Sequence, residues 1–200
     1  MRSAVMIAAG AALWILLTRR LHKQRAWLAY YITGAFGFTI LTLFVAQLFG
    51  LDARLEGFEA HHVAAVGWLF GLRLRVMGPS GLAIPAPYGW SIFDIGIECS
   101  ALLETAVFIG LIAFYPAYNR TRKATSIISG SIATYGINLI RILVIVGLVA
   151  AFGESWTFVA HAVIGRLVFF VMTVGVYWFL LTRPTIRVVA DSLPPEDRRG

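Results

Sequence analysis

Four side chains in this chain are of types that can do chemistry on one another: Cys99, Arg141, His161 and Arg166. A cysteine is a good nucleophile only as the thiolate, which a nearby arginine or protonated histidine favours and apolar burial alone disfavours. Cys99 is the single cysteine of the chain, so it has no disulfide partner within it. It stands at the start of an apolar run, where the N-terminal end of a helix dipole also favours the thiolate. His161 can shuttle a proton between a thiol and a leaving amine, and Arg141 or Arg166 can hold a tetrahedral oxyanion. Such a set permits acyl transfer through a thioester. Glu98 and Ser100 flank the thiol, and Asn138 lies one helical turn before Arg141, so these three are candidates for a supporting or substrate-binding role. One cysteine and well-separated histidines give no metal-ligand spacing, and neither a metal nor another cofactor is expected.

The elements that must carry these residues are membrane spans. Among the 200 residues 59% are apolar and only 14% charged, far from the soluble norm of about 25% charged. This excludes a water-soluble globule and a disordered chain. Apolar runs of about 20 residues cross a hydrocarbon core about 30 Å thick. Five such runs are predicted, approximately Ser3 to Thr18, Ala26 to Leu51, Ile97 to Tyr115, Thr125 to Phe152 and Thr157 to Thr182. The first is followed by Arg19 and Arg20 rather than a small-residue cleavage site, and is expected to be retained. The fold expected is all-α, a polytopic transmembrane helical bundle forming one integral-membrane domain over residues 1–182. A cytoplasmic tail without fixed structure is expected over 183–200.

Charge sets the orientation. Arg19, Arg20, Lys23 and Arg25 lie between the first two runs, Arg120, Arg122 and Lys123 between the third and fourth, and Arg183, Arg187, Arg198 and Arg199 after the fifth. These are eleven of the seventeen basic residues, and placing them all in the cytoplasm satisfies the positive-inside rule with the N-terminus outside. The net charge of +7 is then a topology signal, and nucleic acid is not expected as a partner. Asp52 to Glu98 falls at the outer face. Within it Ala60 to Leu72 is apolar but too short to cross, which suits an interfacial or re-entrant helix. Met77 to Trp90 holds three glycines and three prolines, which suits turns or a short hairpin outside the membrane.

Ionisable residues inside spans are costly, about 2.5–3.5 kcal/mol for a central arginine, and each calls for a reason. Counted at about 1.5 Å per helical residue from the inner basic anchors, Cys99, Arg141, Arg166 and His161 come out at roughly 32, 27, 26 and 33 Å, all near the outer interface. Ser131, Thr134, Asn138 and Arg141 form one polar stripe that should face the bundle interior. His161 and Arg166 are five residues apart, about 140° around an α-helix, so one is expected to be catalytic and the other supportive.

Glu98-Cys99-Ser100-Ala101-Leu102, Asn138-Leu139-Ile140-Arg141 and His161-Ala162-Val163-Ile164-Gly165, in that order on successive spans, resemble the exosortase and archaeosortase family over residues 71–181. Members are polytopic membrane cysteine transpeptidases that recognise exported proteins by a C-terminal motif, a transmembrane helix and a basic tail. The resemblance implies that Cys99 is the nucleophile, Arg141 the essential arginine and His161 the third residue. An arginine takes that third role in archaeosortase-like members, which keeps Arg166 in play. It further implies cleavage of such a sorting signal, with transfer of the thioester to an acceptor, in the cytoplasmic membrane of a prokaryote with the site facing outward. The family commonly reads Cys-Ser-Gly, whereas Ala101 follows Ser100 here.

Other readings compete. A lone cysteine in a membrane helix commonly only packs, and an arginine can snorkel or be held by hydrogen bonds. Gly78-Pro79-Ser80-Gly81 suggests a membrane phosphatase, but such sites need a histidine where Leu82 stands. The alternative kept is a small transporter or membrane assembly subunit whose Arg141 stripe lines a polar pathway. Lipid is an expected partner in either case, and the oligomeric state is left open.

Overall fold

The computed structural model describes residues 2–87, 89–96, 99–183 and 186, and is 78% helical. Helix α1 (Arg2–Lys23) and helix α2 (Trp27–Phe49) are joined by a tight link in which Arg25 takes a left-handed φ of 56°. Gly50 ends α2 at φ 61°, a conformation that glycine reaches without steric cost, and re-aims the chain into α3 (Leu51–Leu69). Helix α3 starts well before the apolar run Ala60 to Leu72 that suggested it.

Three antiparallel strands follow, β1 (Arg75–Met77), β2 (Gly81–Ala86) and β3 (Gly89–Asp94), with β2 in the centre. Leu82 faces Val76 on one side and Phe93 on the other. Pro85 is tolerated in the central strand because β1 pairs only with residues 81–83. One side of the proline's backbone therefore needs no partner.

Helix α4 (Leu102–Phe114) has 13 residues, about 20 Å, and cannot cross a bilayer unaided. Helix α5 (Arg120–Phe152) has 33, about 50 Å, and is longer than a bilayer core requires. Its start is capped by the Asn119 side chain, which accepts from the Arg122 N–H at 2.8 Å. Helix α6 (Glu154–Thr182) opens with a 3₁₀ turn, widens to π geometry over Ala160–Gly165, is α-helical over Arg166–Tyr177, and ends in a second π segment, Trp178–Thr182. Four helices, α1, α2, α5 and α6, are long and apolar enough to cross a membrane, against five runs expected from the sequence; the third run is the short α4. The tail beyond Arg183 lies almost entirely outside the described residues.

Helices α1, α2 and α6 leave large apolar side chains uncovered, among them Phe36, Phe44, Phe158, Leu167 and Phe170, as a lipid-facing bundle does. Helix α4 packs closely on α2: a Cβ added at Gly110 would come within 2.8 Å of the Ala35 carbonyl oxygen. The main core lies where the sheet meets α5. Leu82, Ile84 and Phe93 pack against Ile142, Ile145 and Val149, with Ala60 and Val63 of α3 and Cys99 in the same cluster. The last third of α5 is thus held by protein, and this core carries the candidate site.

Candidate active site

Cys99 ends a short turn between β3 and α4. The Cys99 and Ser100 N–H groups both donate to the Gly96 carbonyl, at 2.8 and 3.0 Å, which curls the chain ahead of the helix. Cys99 is 3% exposed and its Sγ lies 3.3 Å from Nδ1 of His161 and 3.8 Å from Nε2. The imidazole comes from the π segment of α6, a wider turn that often accompanies functional sites, and the Phe93 ring lies 5.8 Å from it. Thiol and imidazole, 62 residues apart in sequence, are in hydrogen-bonding contact.

Arg141 is buried, with Nη1 4.0 Å from Oε1 of Glu104 and its guanidinium 5.4 Å from the centre of the Phe169 ring. Thr134 and Asn138, on the same stripe of α5, are also buried, while Ser131 is half-buried. Asn138 Nδ2 donates to the Cys99 carbonyl at 2.7 Å, tying the Cys99 peptide group to α5. Ser100 is fully buried, and its Oγ accepts from the Leu102 N–H at 3.4 Å. Ala101 has φ −72° and ψ 0°, open to any L-residue, so its methyl introduces no backbone strain.

Arg166 takes no part in these contacts. Arg166 is exposed, and its side chain makes no hydrogen bond or ion pair among the described residues. The 140° separation from His161 assumed uniform α geometry, which the π segment between the two residues does not have. Glu98 falls outside the described residues. Among the described residues no group of three histidine, cysteine or acidic side chains could hold a metal.

One residue of the site was missed in the sequence. Glu59 of α3 has no exposed surface; its Oε1 accepts from the Ala101 N–H at 2.8 Å and from Asn138 Nδ2 at 3.4 Å. Burial pushes its carboxyl up to about 7 from an ordinary 4.5, Glu104 and Glu56 act the same way, and the two donations oppose them. The available signal was an acidic side chain adjoining the apolar run of a short helix. The Cys99 turn is therefore pinned from both sides, by α5 at one carbonyl and by α3 at one N–H.

An apolar cleft of about 430 Å³ between α2, α4 and α5 reaches Ala101, two residues from the thiol, and is lined also by Phe38, Leu102, Ile109 and Tyr135. A more polar cavity of about 260 Å³ separates the start of β3, at Trp90 and Ser91, from the α5–α6 turn at Gly153 and Glu154. Comparison with family models, with curated proteins and with solved structures finds no match for this chain.

Proposed function

We propose that the chain is a membrane-embedded cysteine transpeptidase or protease of the exosortase and archaeosortase kind, acting on the C-terminal sorting signal of exported proteins. The observation that carries the reading is the contact of the single thiol with His161 at 3.3 Å, in a buried turn tied to the Arg141 helix. His161 takes the Cys99 proton as Sγ attacks the scissile carbonyl carbon, forming the S–C bond and an oxyanion. Collapse of the tetrahedral species breaks the C–N bond, and His161 returns the proton to the leaving amine. An acceptor amine or water then attacks the thioester, His161 takes its proton, the S–C bond breaks and the thiol is restored.

Oxyanion stabilisation falls to Arg141. A nucleophile's own N–H often serves, but those of Cys99 and Ser100 are committed to Gly96, and that of Ala101 to Glu59. A guanidinium one turn along the stripe from Asn138 supplies fixed positive charge where these backbone donors do not. In this reading the basic end of α5 is cytoplasmic and the thiol lies toward the outer face of a prokaryotic inner membrane, as the eleven basic residues favour. The substrate arrives with its own helix in the bilayer and a basic tail on the cytoplasmic side.

The test is replacement of Cys99 by alanine or serine in cells, following C-terminal processing of exported proteins that end in an apolar helix and a basic tail. Processing is expected to stop while the variant remains in the membrane. Unchanged processing would remove the proposal. A cellular phenotype that survives loss of Cys99 but not of Arg141 would favour the polar pathway of a transporter.

A further inference from the structure

Glu59, Asn138 and the Cys99 turn form a chain of contacts that is short of one hydrogen. Asn138 Nδ2 serves two acceptors, the Cys99 carbonyl and Glu59 Oε1. Two oxygens of the same pair of side chains, Glu59 Oε2 and Asn138 Oδ1, are buried with no hydrogen-bond partner among the described residues. Buried polar atoms in native proteins are nearly always satisfied, so two acceptors without a donor on side chains already in contact point to a proton. A carboxylic acid at Glu59 supplies that donor, whereas a carboxylate adds a buried charge. We propose that Glu59 is a positioning residue that works as the neutral acid, its proton completing the hydrogen bonds that hold the Cys99 turn, and that its ionisation opposes the Cys99 thiolate.

The groups around Glu59 support a neutral resting form. Glu56 on α3 and Glu104 on α4 are both acids that disfavour a further negative charge. Tyr135 on α5 interacts with Glu59 and accepts or donates a 2.6 Å hydrogen bond with Nδ1 of His62 on α3. The nearby cation, Arg141, is ion-paired with Glu104. The carboxyl sits two peptide units from the thiol, bonded to the Ala101 N–H, so a charge there acts directly on the sulfur through a medium of low dielectric. The same charge would oppose the oxyanion. This inference deepens the transpeptidase reading and rests on it for its relevance to turnover, but its physical content, coupling between Glu59 and the Cys99 thiol, does not need a substrate.

The experiment uses the whole chain in detergent and measures the rate of Cys99 alkylation by iodoacetamide from pH 5 to 9, each reaction reporting the single thiol alone. The wild type should show a flattened rise through neutral pH, where Glu59 ionises alongside the thiol. Glu59→Gln, which keeps the shape and a donor but cannot ionise, should keep the shape that the Cys99–His161 pair imposes on the profile but shift its midpoint lower by about one pH unit. Glu59→Ala, which also cannot ionise but makes neither contact, should lose the positioning and give a midpoint different from that of Glu59→Gln. Identical profiles for wild type and Glu59→Gln would overturn the proposal. So would a single thiol titration in His161→Ala, where no imidazole titrates beside the thiol and Glu59 is unchanged. If the profiles differ as expected but wild-type cells process no sorting signal, the coupling stands and the transpeptidase reading fails.

Discussion

Replacing Asn138 by alanine removes one side chain and two donations, and its cost can be worked from the structure. The Cys99 carbonyl loses a 2.7 Å bond and no water reaches a site where Asn138 has no exposed surface. Leaving a buried acceptor unsatisfied costs about 1–3 kcal/mol, and the longer 3.4 Å donation to Glu59 adds less. A loss of about 2–4 kcal/mol in stability is expected, a large part of the roughly 5–15 kcal/mol that holds a typical domain together. The consequence for the thiol is separate. Its peptide group is no longer tied to α5, and a displacement of order 1 Å at a reacting atom is enough for about a 100-fold loss in rate. The assay pairs denaturant unfolding in micelles, followed by tryptophan fluorescence, with the alkylation rate of Cys99 and with processing in cells. Asn138→Asp separates donation from shape, because it fills the space but, when ionised, offers no N–H and sets a second acid beside Glu59. It should be at least as damaging as alanine at pH 8 and recover on acidification. Unfolding of Asn138→Ala within about 0.5 kcal/mol of wild type, the range of neutral surface changes, with unchanged alkylation, would refute the tie between Asn138 and Cys99.

Other expectations follow from the same geometry. His161→Ala should lower processing by about 100-fold to 10,000-fold, while Arg166→Gln should change it less than about tenfold, and comparable losses from both would make Arg166 a partner in the chemistry. Gly110→Val puts methyl groups into the Ala35 carbonyl and should destabilise the α2–α4 contact by about 1–3 kcal/mol, seen as earlier unfolding, whereas the same change at Gly136, where a Cβ meets open space, should cost much less. Because the Glu59 carboxyl is raised to about 7, the folded chain binds more protons than the unfolded chain between about pH 4.5 and 7. The contribution of Glu59 to stability should therefore be fully present below that window, fall by about 3 kcal/mol as pH rises through it, and level off above 7. Glu59→Gln should reduce that slope, leaving what Glu56 and Glu104, also raised by burial, contribute, and a slope unchanged in the variant would assign it to another group.

Much of the frame could be read from residues alone, and the limits have physical causes. The apolar runs that became α1, α2, α5 and α6 are long enough for their composition to decide the matter, and the stripe Ser131, Thr134, Asn138, Arg141 is visible because a helix repeats its faces. Counting residues as continuous helix placed Cys99 about 32 Å from Arg120. The chain breaks between Phe114 and Arg120, so the thiol lies instead at the level of Asn138, to which its carbonyl is bonded. The sheet was harder to read because β2 carries Pro85, acceptable only because β1 stops short of it. Glu59 was invisible for a different reason: its role lies in two bonds to residues 42 and 79 positions away, and no local spacing encodes them.

Helix α5 is rigid, about 50 Å long, and carries the basic end, Asn138 and Arg141 on one rod. The height of Cys99 and Arg141 above that basic end is therefore counted in residues and does not follow the lipid. A bilayer with longer acyl chains would submerge Arg141 and the thiol in hydrocarbon, and one with shorter chains would lift them toward water. Membrane thickness thus acts on this site as a solvent variable, so the same protein should work differently in lipids that differ only in chain length.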